Sequence, residues 1–278
     1  MIKTARSFRA LQIKARQQVY TLLSGNNLSK LHGEGYDLSE LREYQPGDDV
    51  RKINWIITAK QGKPYIKELH ANRELSVVVS AMMGGSLWFA EGNAKQEKVA
   101  EVATLLGYAA YQNGDLFSGL QYYEHDTYFT PPSKQLYPIE SFSKELFESN
   151  ILKTKLDYDT AIKDLFIRIQ KPSLICIIGD FLQAIDLSLL AQKHEVIALI
   201  IRHRNEESPR KLGEVILEDP QSGRRMNTFF GKRSADRYLA RLQKNDEALI
   251  EHFSQYSIRY TKIYTDEEPI GKLVNLFR

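Results

Sequence analysis

Residues Leu75 to Phe89 read LSVVVSAMMGGSLWF, and this stretch restricts the chain to few architectures. Its opening apolar run is rich in β-branched residues, which suits a central strand covered on both faces in a mostly parallel sheet. The run breaks at Gly84, Gly85 and Ser86, and a helical pattern begins near Ala94. A strand, a tight loop and a helix therefore follow one another. That order sets the loop at the carboxyl end of a strand, where open α/β sheets keep their ligands.

A loop so placed can cradle a phosphate, present a nucleophile or supply hydroxyls to a metal. Neither G-x-x-x-x-G-K-[ST] nor G-x-G-x-x-G occurs here, and the later Gly231, Lys232, Arg233, Ser234 fails because Met226 stands where the first glycine belongs. A nucleotide site is not expected. A nucleophile elbow needs G-x-S-x-G, and Gly84, Gly85, Ser86 and Leu87 are followed by Trp88 instead of glycine. A hydrolase using Ser86 stays open as a lesser alternative, one that requires a histidine within hydrogen-bond reach of the serine.

Beyond this loop the pattern alternates. Helices are expected at Ala94 to Asn113, Lys134 to Glu148, Thr160 to Ile169, Ala184 to Lys193, Ala235 to Tyr256 and Pro269 to Phe277. Strands are expected at Asp115 to Tyr123, Ser173 to Asp180, Glu195 to Arg202 and Ile258 to Tyr264, with a short edge strand Thr127 to Thr130 stopped by Pro131 and Pro132. Val215 to Leu217 and Asn227 to Phe230 read as a hairpin at a sheet edge. Alternating strands and helices imply a doubly wound, mostly parallel α/β sheet of Rossmann-like kind. The first 24 residues carry Phe8, Leu11, Ala15, Val19, Leu22 and Leu23 at helical spacing with a mainly basic outer face, and Ser24, Gly25, Asn26 as the stop. This basic helix can pack on the main domain, or make a peripheral contact with anionic lipid or an acidic partner.

With 278 residues, 42% hydrophobic and 26% charged, the chain has the composition of a globular protein with a sizeable core. A net charge of +3 is too small to indicate nucleic-acid binding, and none is expected. No apolar run approaches the roughly 20 residues of a membrane-spanning helix, and no signal-peptide core is visible at the N-terminus, so a cytoplasmic protein is expected. The single Cys176 lies within SLICIIGD and reads as a buried, inert thiol. The six histidines have no metal-ligand spacing.

The most distinctive stretch is Gly33 to Trp55, GEGYDLSELREYQPGDDVRKINW. Pro46 and Gly47 make a turn, Asp48 and Asp49 can accept from nearby amides, and Arg42, Glu43, Asp48, Asp49 and Arg51 can form a charge network fixing a loop around Trp55. This motif, G-x-G-x-x-x-x-x-L-R-E-Y-x-P-G-D-D-x-R-x-I-x-W, followed by Ala59, Lys60, Gly62, Pro64 and PYIKELH, closely resembles the signature of the domain-of-unknown-function 58 family. The resemblance implies a von Willebrand factor A-like domain over residues 74–278, preceded by a helix and a family-specific segment over residues 1–73. It also implies a MoxR-type AAA+ ATPase as protein partner.

The von Willebrand A fold commonly holds Mg²⁺ through D-x-S-x-S after its first strand, a threonine from a second loop and a later aspartate. Here the aspartate position falls on Met82 and the first serine on Gly84, leaving Ser86, Thr160 and Asp180. One carboxylate and two hydroxyls are a poor shell for an ion that dehydrates reluctantly, so no cofactor and at most weak Mg²⁺ binding are expected. The degenerate site would then serve a non-enzymatic adaptor, docking through Met82, Met83, Ser86, Trp88, Thr160 and Asp180, with Arg42, Asp48, Asp49 and Arg51 as a further interaction surface. A metal-dependent ligand-binding module is the principal alternative.

Overall fold

In a computed structural model of the chain, residues 2–24, 36–71, 75–89, 94–124 and 126–277 are described, with backbone alone for 2–7, 21–24, 36–42, 52 and 67–71. The expected helix stop at Gly25 and Asn26, the motif's opening Gly33 to Gly35, His32 and His125 lie outside the described residues. Two compact units emerge: residues 20–74, and residues 1–19 together with 75–278. The first helix thus contributes its N-terminal part to the larger unit.

The larger unit is built on a six-stranded sheet. Its strands are β3 (Ser76–Met82), β4 (Leu116–Tyr123), β5 (Asp126–Ser133), β6 (Leu174–Gly179), β7 (Glu195–Arg202) and β10 (Arg259–Tyr264), in spatial order β10-β7-β6-β3-β4-β5. All neighbours are parallel except β4 and β5. Every residue from Val77 to Met82 is buried, as a strand flanked by two parallel neighbours with helices over both faces demands. Burying one such side chain is worth roughly 1.5–3 kcal/mol, so this strand anchors the core.

Val78 and Met82 join Ile175, Ile177, Ala198 and Ile200 beneath α5 (Tyr158–Arg168), the short α6 (Ser188–Ala191) and α8 (Lys232–Gln255). The opposite face carries α3 (Ala94–Asn113) and α4 (Leu136–Glu148). There the chain approaches closely enough that two positions admit no side chain. A Cβ on Gly119 would lie 2.6–2.8 Å from the Phe142 ring, and one on Gly107 2.4 Å from Ile139 Cγ2. The first helix, α1 (Ile2–Ser24), also packs here: Phe8, Ala15 and Val19 are buried, and the Phe8 and Phe147 rings lie 5.4 Å apart. Lys14 on its basic face pairs with Glu101 and Glu268 at 3.0 and 2.7 Å, so that charge is engaged within the unit. Leu11 is half-buried on the expected stripe and Ile13, off it, is 52% exposed. The α9 helix (Pro269–Phe277) closes the chain.

Three expectations need correction. The edge strand β5 runs through Pro131 and Pro132 to Ser133, because the register shift between Thr130 opposite Gly119 and Ser133 opposite Phe117 gives the prolines a bulge on an edge. The helix expected over 184–193 shrinks to Ser188–Ala191. Upstream of it, the Asp186 carboxylate accepts from Ser188 N at 2.9 Å and His252 Nε2 accepts from Leu187 N at 2.9 Å, so side chains satisfy backbone donors that a longer helix would have used. The hairpin β8 (Gly213–Glu218) and β9 (Arg225–Phe230) forms a separate two-stranded sheet instead of extending the main one. No helix among the described residues is long and apolar enough to cross a membrane.

Cys176 is fully buried in β6, and burial pushes its thiol up to about 12. The tight fit at Gly119 gives a direct test of the α4 packing. Gly119→Ala is expected to lower stability by about 1–3 kcal/mol in urea denaturation, with partial recovery when Phe142→Leu is added.

Candidate functional site at the carboxyl edge

The chain leaves β3 towards β4 on one side and β6 towards β7 on the other, so the crevice of this doubly wound sheet opens between the carboxyl ends of β3 and β6. After Met82 the backbone turns through Gly84 and a short 3₁₀ turn, Gly85–Leu87. Met83 N donates to Tyr122 O at 2.8 Å and Gly85 N to Thr154 O at 2.9 Å, which ties the loop to two neighbours. The turn of the β8–β9 hairpin lies against it: a Cβ on Gly85 would meet the Pro220 carbonyl oxygen at 2.3 Å. Lys153 N donates to that same carbonyl at 2.8 Å, and Gln183 Nε2 to Gln221 Oε1 at 3.2 Å. Gly85 is therefore required by close backbone approach and not by an unusual φ.

At the centre of the edge stands a residue that the motif comparison does not include. Lys95, in the first turn of α3, is fully buried, and its Nζ donates to Asp180 Oδ2 at 3.0 Å and Glu206 Oε1 at 2.6 Å. Asp180 follows β6 and is 2% exposed; Glu206 lies in α7 (Arg204–Glu207), directly after β7, and is equally buried. The other carboxylate oxygens are taken by backbone: Leu182 N donates to Asp180 Oδ1 at 3.4 Å and His203 N to Glu206 Oε2 at 2.8 Å. Burial pushes the Asp180 carboxyl up, but the Lys95 ammonium, the neighbouring Ser86 hydroxyl and the Arg202 guanidinium outweigh this and hold it below the usual carboxylate range. The Phe89 ring lies 5.5 Å from Lys95 Nζ and adds an aromatic wall.

A second line of charge runs alongside. Arg202, buried at the end of β7, donates to Asp246 at 2.6 Å; Asp246 also accepts from Lys262 at 2.9 Å, and Lys262 donates to Glu207 at 2.7 Å.

The expected site residues fall unevenly on this geometry. Ser86 and Asp180 are brought together. Thr160 is not part of the cluster: it is exposed at the start of α5, its hydroxyl donating to Asp157 Oδ2 at 2.7 Å, and Asp157 caps the helix. Thr160 instead lines an open groove of 530 Å³ with Glu124, Asp157, Asp159, Lys155 and Gln183. Met82 and Met83 are 1% and 0% exposed, which corrects their reading as docking residues. Met82 packs in the core, and its Cβ lies 3.1 Å from where Gly179 would carry one. Gly84 is buried too, and Trp88 is 37% exposed.

A divalent ion does not fit the residues present. The aspartate position holds a buried methionine, the Thr160 hydroxyl is committed to Asp157, and the Asp180 carboxylate already bonds an ammonium. The serine does not meet a histidine among the described residues either. His203 accepts from Asn205 N, His252 from Leu187 N, and His194 is buried.

In the smaller unit, β1 (Tyr36–Glu43) pairs antiparallel with β2 (Tyr65–Ala71), and α2 (Trp55–Gln61) lies between them in sequence. Asp48 accepts from Gln45 N at 2.8 Å; Asp49 accepts from Arg51 N at 3.0 Å and pairs with the Arg51 guanidinium at 3.3 Å. Glu43 pairs with Lys63 at 2.8 Å. These bonds shape the turn, but Trp55 is 69% exposed, so the network does not enclose it as expected. The Arg42 side chain lies outside the described residues.

Strand order and a single antiparallel edge strand define a doubly wound, mostly parallel α/β protein. The sequence matches the family described as "Protein of unknown function DUF58" over residues 40–248, and the chain belongs to that family. It is 27% identical over 238 residues to the uncharacterized proteins Rv1480 of Mycobacterium tuberculosis and Mb1516 of Mycobacterium bovis, covering 80% of this chain and 72% of each relative. Among solved structures it is similar to the conserved hypothetical protein BatB from Bacteroides thetaiotaomicron, with a TM-score of 0.45 and 13% identity over 73% of this chain and 97% of that one. It is also similar to an aerotolerance-related membrane protein from Bacteroides fragilis, with a TM-score of 0.36 and 11% identity over 66% of this chain and 98% of that one. The fold assignment rests on the strand order, not on these distant likenesses.

Removing the Lys95 ammonium leaves two buried carboxylates without their cation. Lys95→Met is therefore expected to lower stability by about 3–5 kcal/mol in urea denaturation. Adding Asp180→Asn and Glu206→Gln should return most of that loss; a loss under about 1 kcal/mol for the single variant would contradict the arrangement.

Proposed function

We propose that the chain is a non-enzymatic adaptor that docks on a MoxR-type AAA+ ATPase in the cytoplasm through the carboxyl edge of its sheet, in the maturation or assembly of other protein complexes. One observation carries this reading. The polar centre of the edge is saturated from within, Lys95 bonding both Asp180 and Glu206 while backbone amides take their other oxygens, and among the described residues no imidazole is paired with Ser86. Such a centre is suited to holding loops in place rather than to attacking a substrate.

The surroundings are suited to contact. Trp88 on the β3 loop is partly exposed, and Leu212, Ile216, Met226 and Phe229 on and beside the hairpin are 55%, 68%, 59% and 65% exposed. Because the hairpin turn rests on Gly85, the hairpin and the β3 loop are held to one another. Large apolar side chains among polar groups such as Glu214, Glu218 and Arg225 give the apolar centre and charged rim of a protein interface.

The test is calorimetry of the purified protein with a nucleotide-free MoxR-type AAA+ ATPase from the same genome, in EDTA. Saturable micromolar binding is expected, weakened at least about tenfold by Trp88→Ala or Phe229→Asp without a change in melting temperature. No binding, or binding indifferent to both substitutions, would overturn the proposal.

A further inference from the structure

Two buried carboxylates come together at the carboxyl edge around the ammonium of Lys95, and the Ser86 hydroxyl is set beside one of them, Asp180. Carboxylate and hydroxyl oxygens are the donors that hard divalent cations take. We propose that this is a cation site whose cation belongs to the chain itself. The Lys95 ammonium holds the place of an exchangeable ion between Asp180 and Glu206, and excision of its side chain opens a site for Mg²⁺ or Mn²⁺ on Asp180, Glu206 and Ser86.

The orientation of the ligands supports this. Each carboxylate is aimed by a backbone amide as well as by the lysine: Asp180 Oδ1 by Leu182 N and Glu206 Oε2 by His203 N. These bonds do not involve Lys95, so both groups keep facing the same point when the lysine is shortened. The space left by the excised aminopropyl group gives room for an ion with its retained waters, and the chemistry of the vacated point, two carboxylates in a buried setting, demands positive charge.

The three segments also explain what the tether accomplishes. Lys95 and Ser86 flank the β3–α3 connection, Asp180 ends β6 and Glu206 follows β7. A single ammonium thus holds three neighbouring connections together at a strength that does not depend on the free concentration of any divalent ion. The inference rests on this geometry and not on the identity of a docking partner, so it stands or falls separately from the ATPase experiment.

The experiment is a MnCl₂ titration followed by electron paramagnetic resonance and thermal unfolding, using the full chain, Lys95→Ala and Lys95→Ala/Asp180→Asn. The unsubstituted protein is expected to show no saturable Mn²⁺ site at this edge. Lys95→Ala should bind one Mn²⁺ at least tenfold more tightly and rise in melting temperature as it does so, and the double variant should lose both effects. Should Lys95→Ala purify unfolded, refolding with MnCl₂ or with propylammonium chloride is expected to restore its native circular dichroism. Equal Mn²⁺ affinity in the unsubstituted protein and Lys95→Ala would overturn the proposal. So would a folded Lys95→Ala without gain, or an unfolded one that neither cation restores.

Discussion

The ammonium of Lys95, buried between Asp180 and Glu206, is the interaction on which the carboxyl edge depends. An isolated charge of either sign could not be held in that setting, because desolvation would cost several kcal/mol per ion. The arrangement is tolerated because each carboxylate has further donors and the ammonium has two acceptors. Its geometric consequence is that the connections after β3, β6 and β7 meet at one point. Everything else at the edge is arranged around that meeting: Phe89 walls it, Ser86 adds a hydroxyl, and the Pro220 turn lies on Gly85.

The sheet beneath makes this precision available. β3 is buried on both faces between two parallel neighbours, so its carboxyl end is fixed before any loop is added. The close approach at Gly119 brings α4 down onto β4, and that at Gly107 brings α3 against α4. Because Lys95 sits in the first turn of α3, the packing of the helix determines where its ammonium can reach. Gln96 continues the same logic by donating to Leu146 O and Ser149 O at 2.9 and 2.7 Å, linking α3 to the end of α4.

Much of the fold was legible in the sequence because it is written in local periodicity. The run at Leu75, the strands at 174–179 and 195–202 and the helix at 94–113 follow from apolar patterning alone, and the Gly33–Trp55 motif carries the family. What escaped were relations between distant residues. Glu206 lies 111 positions from Lys95, and no local rule pairs them. A signal did exist: Lys95 falls in register with Val99, Val102 and Leu106 on the buried stripe of α3, and a lysine on such a stripe calls for a buried acid. Met82 and Met83 were misjudged because the end of a β-branched run does not reveal where burial stops. The short helix at 188–191 was overestimated because its would-be first turn is satisfied by Asp186 and His252, the latter from α8.

The most direct measurement of the central claim is nitrogen-15 magnetic resonance of the lysine side-chain amines, comparing the protein in EDTA with the protein in millimolar Mg²⁺. A Lys95 ammonium that is buried and bonded to two carboxylates should give a slowly exchanging signal, absent in Lys95→Arg and unmoved by Mg²⁺. A signal that is missing, or one that Mg²⁺ displaces, would contradict the account.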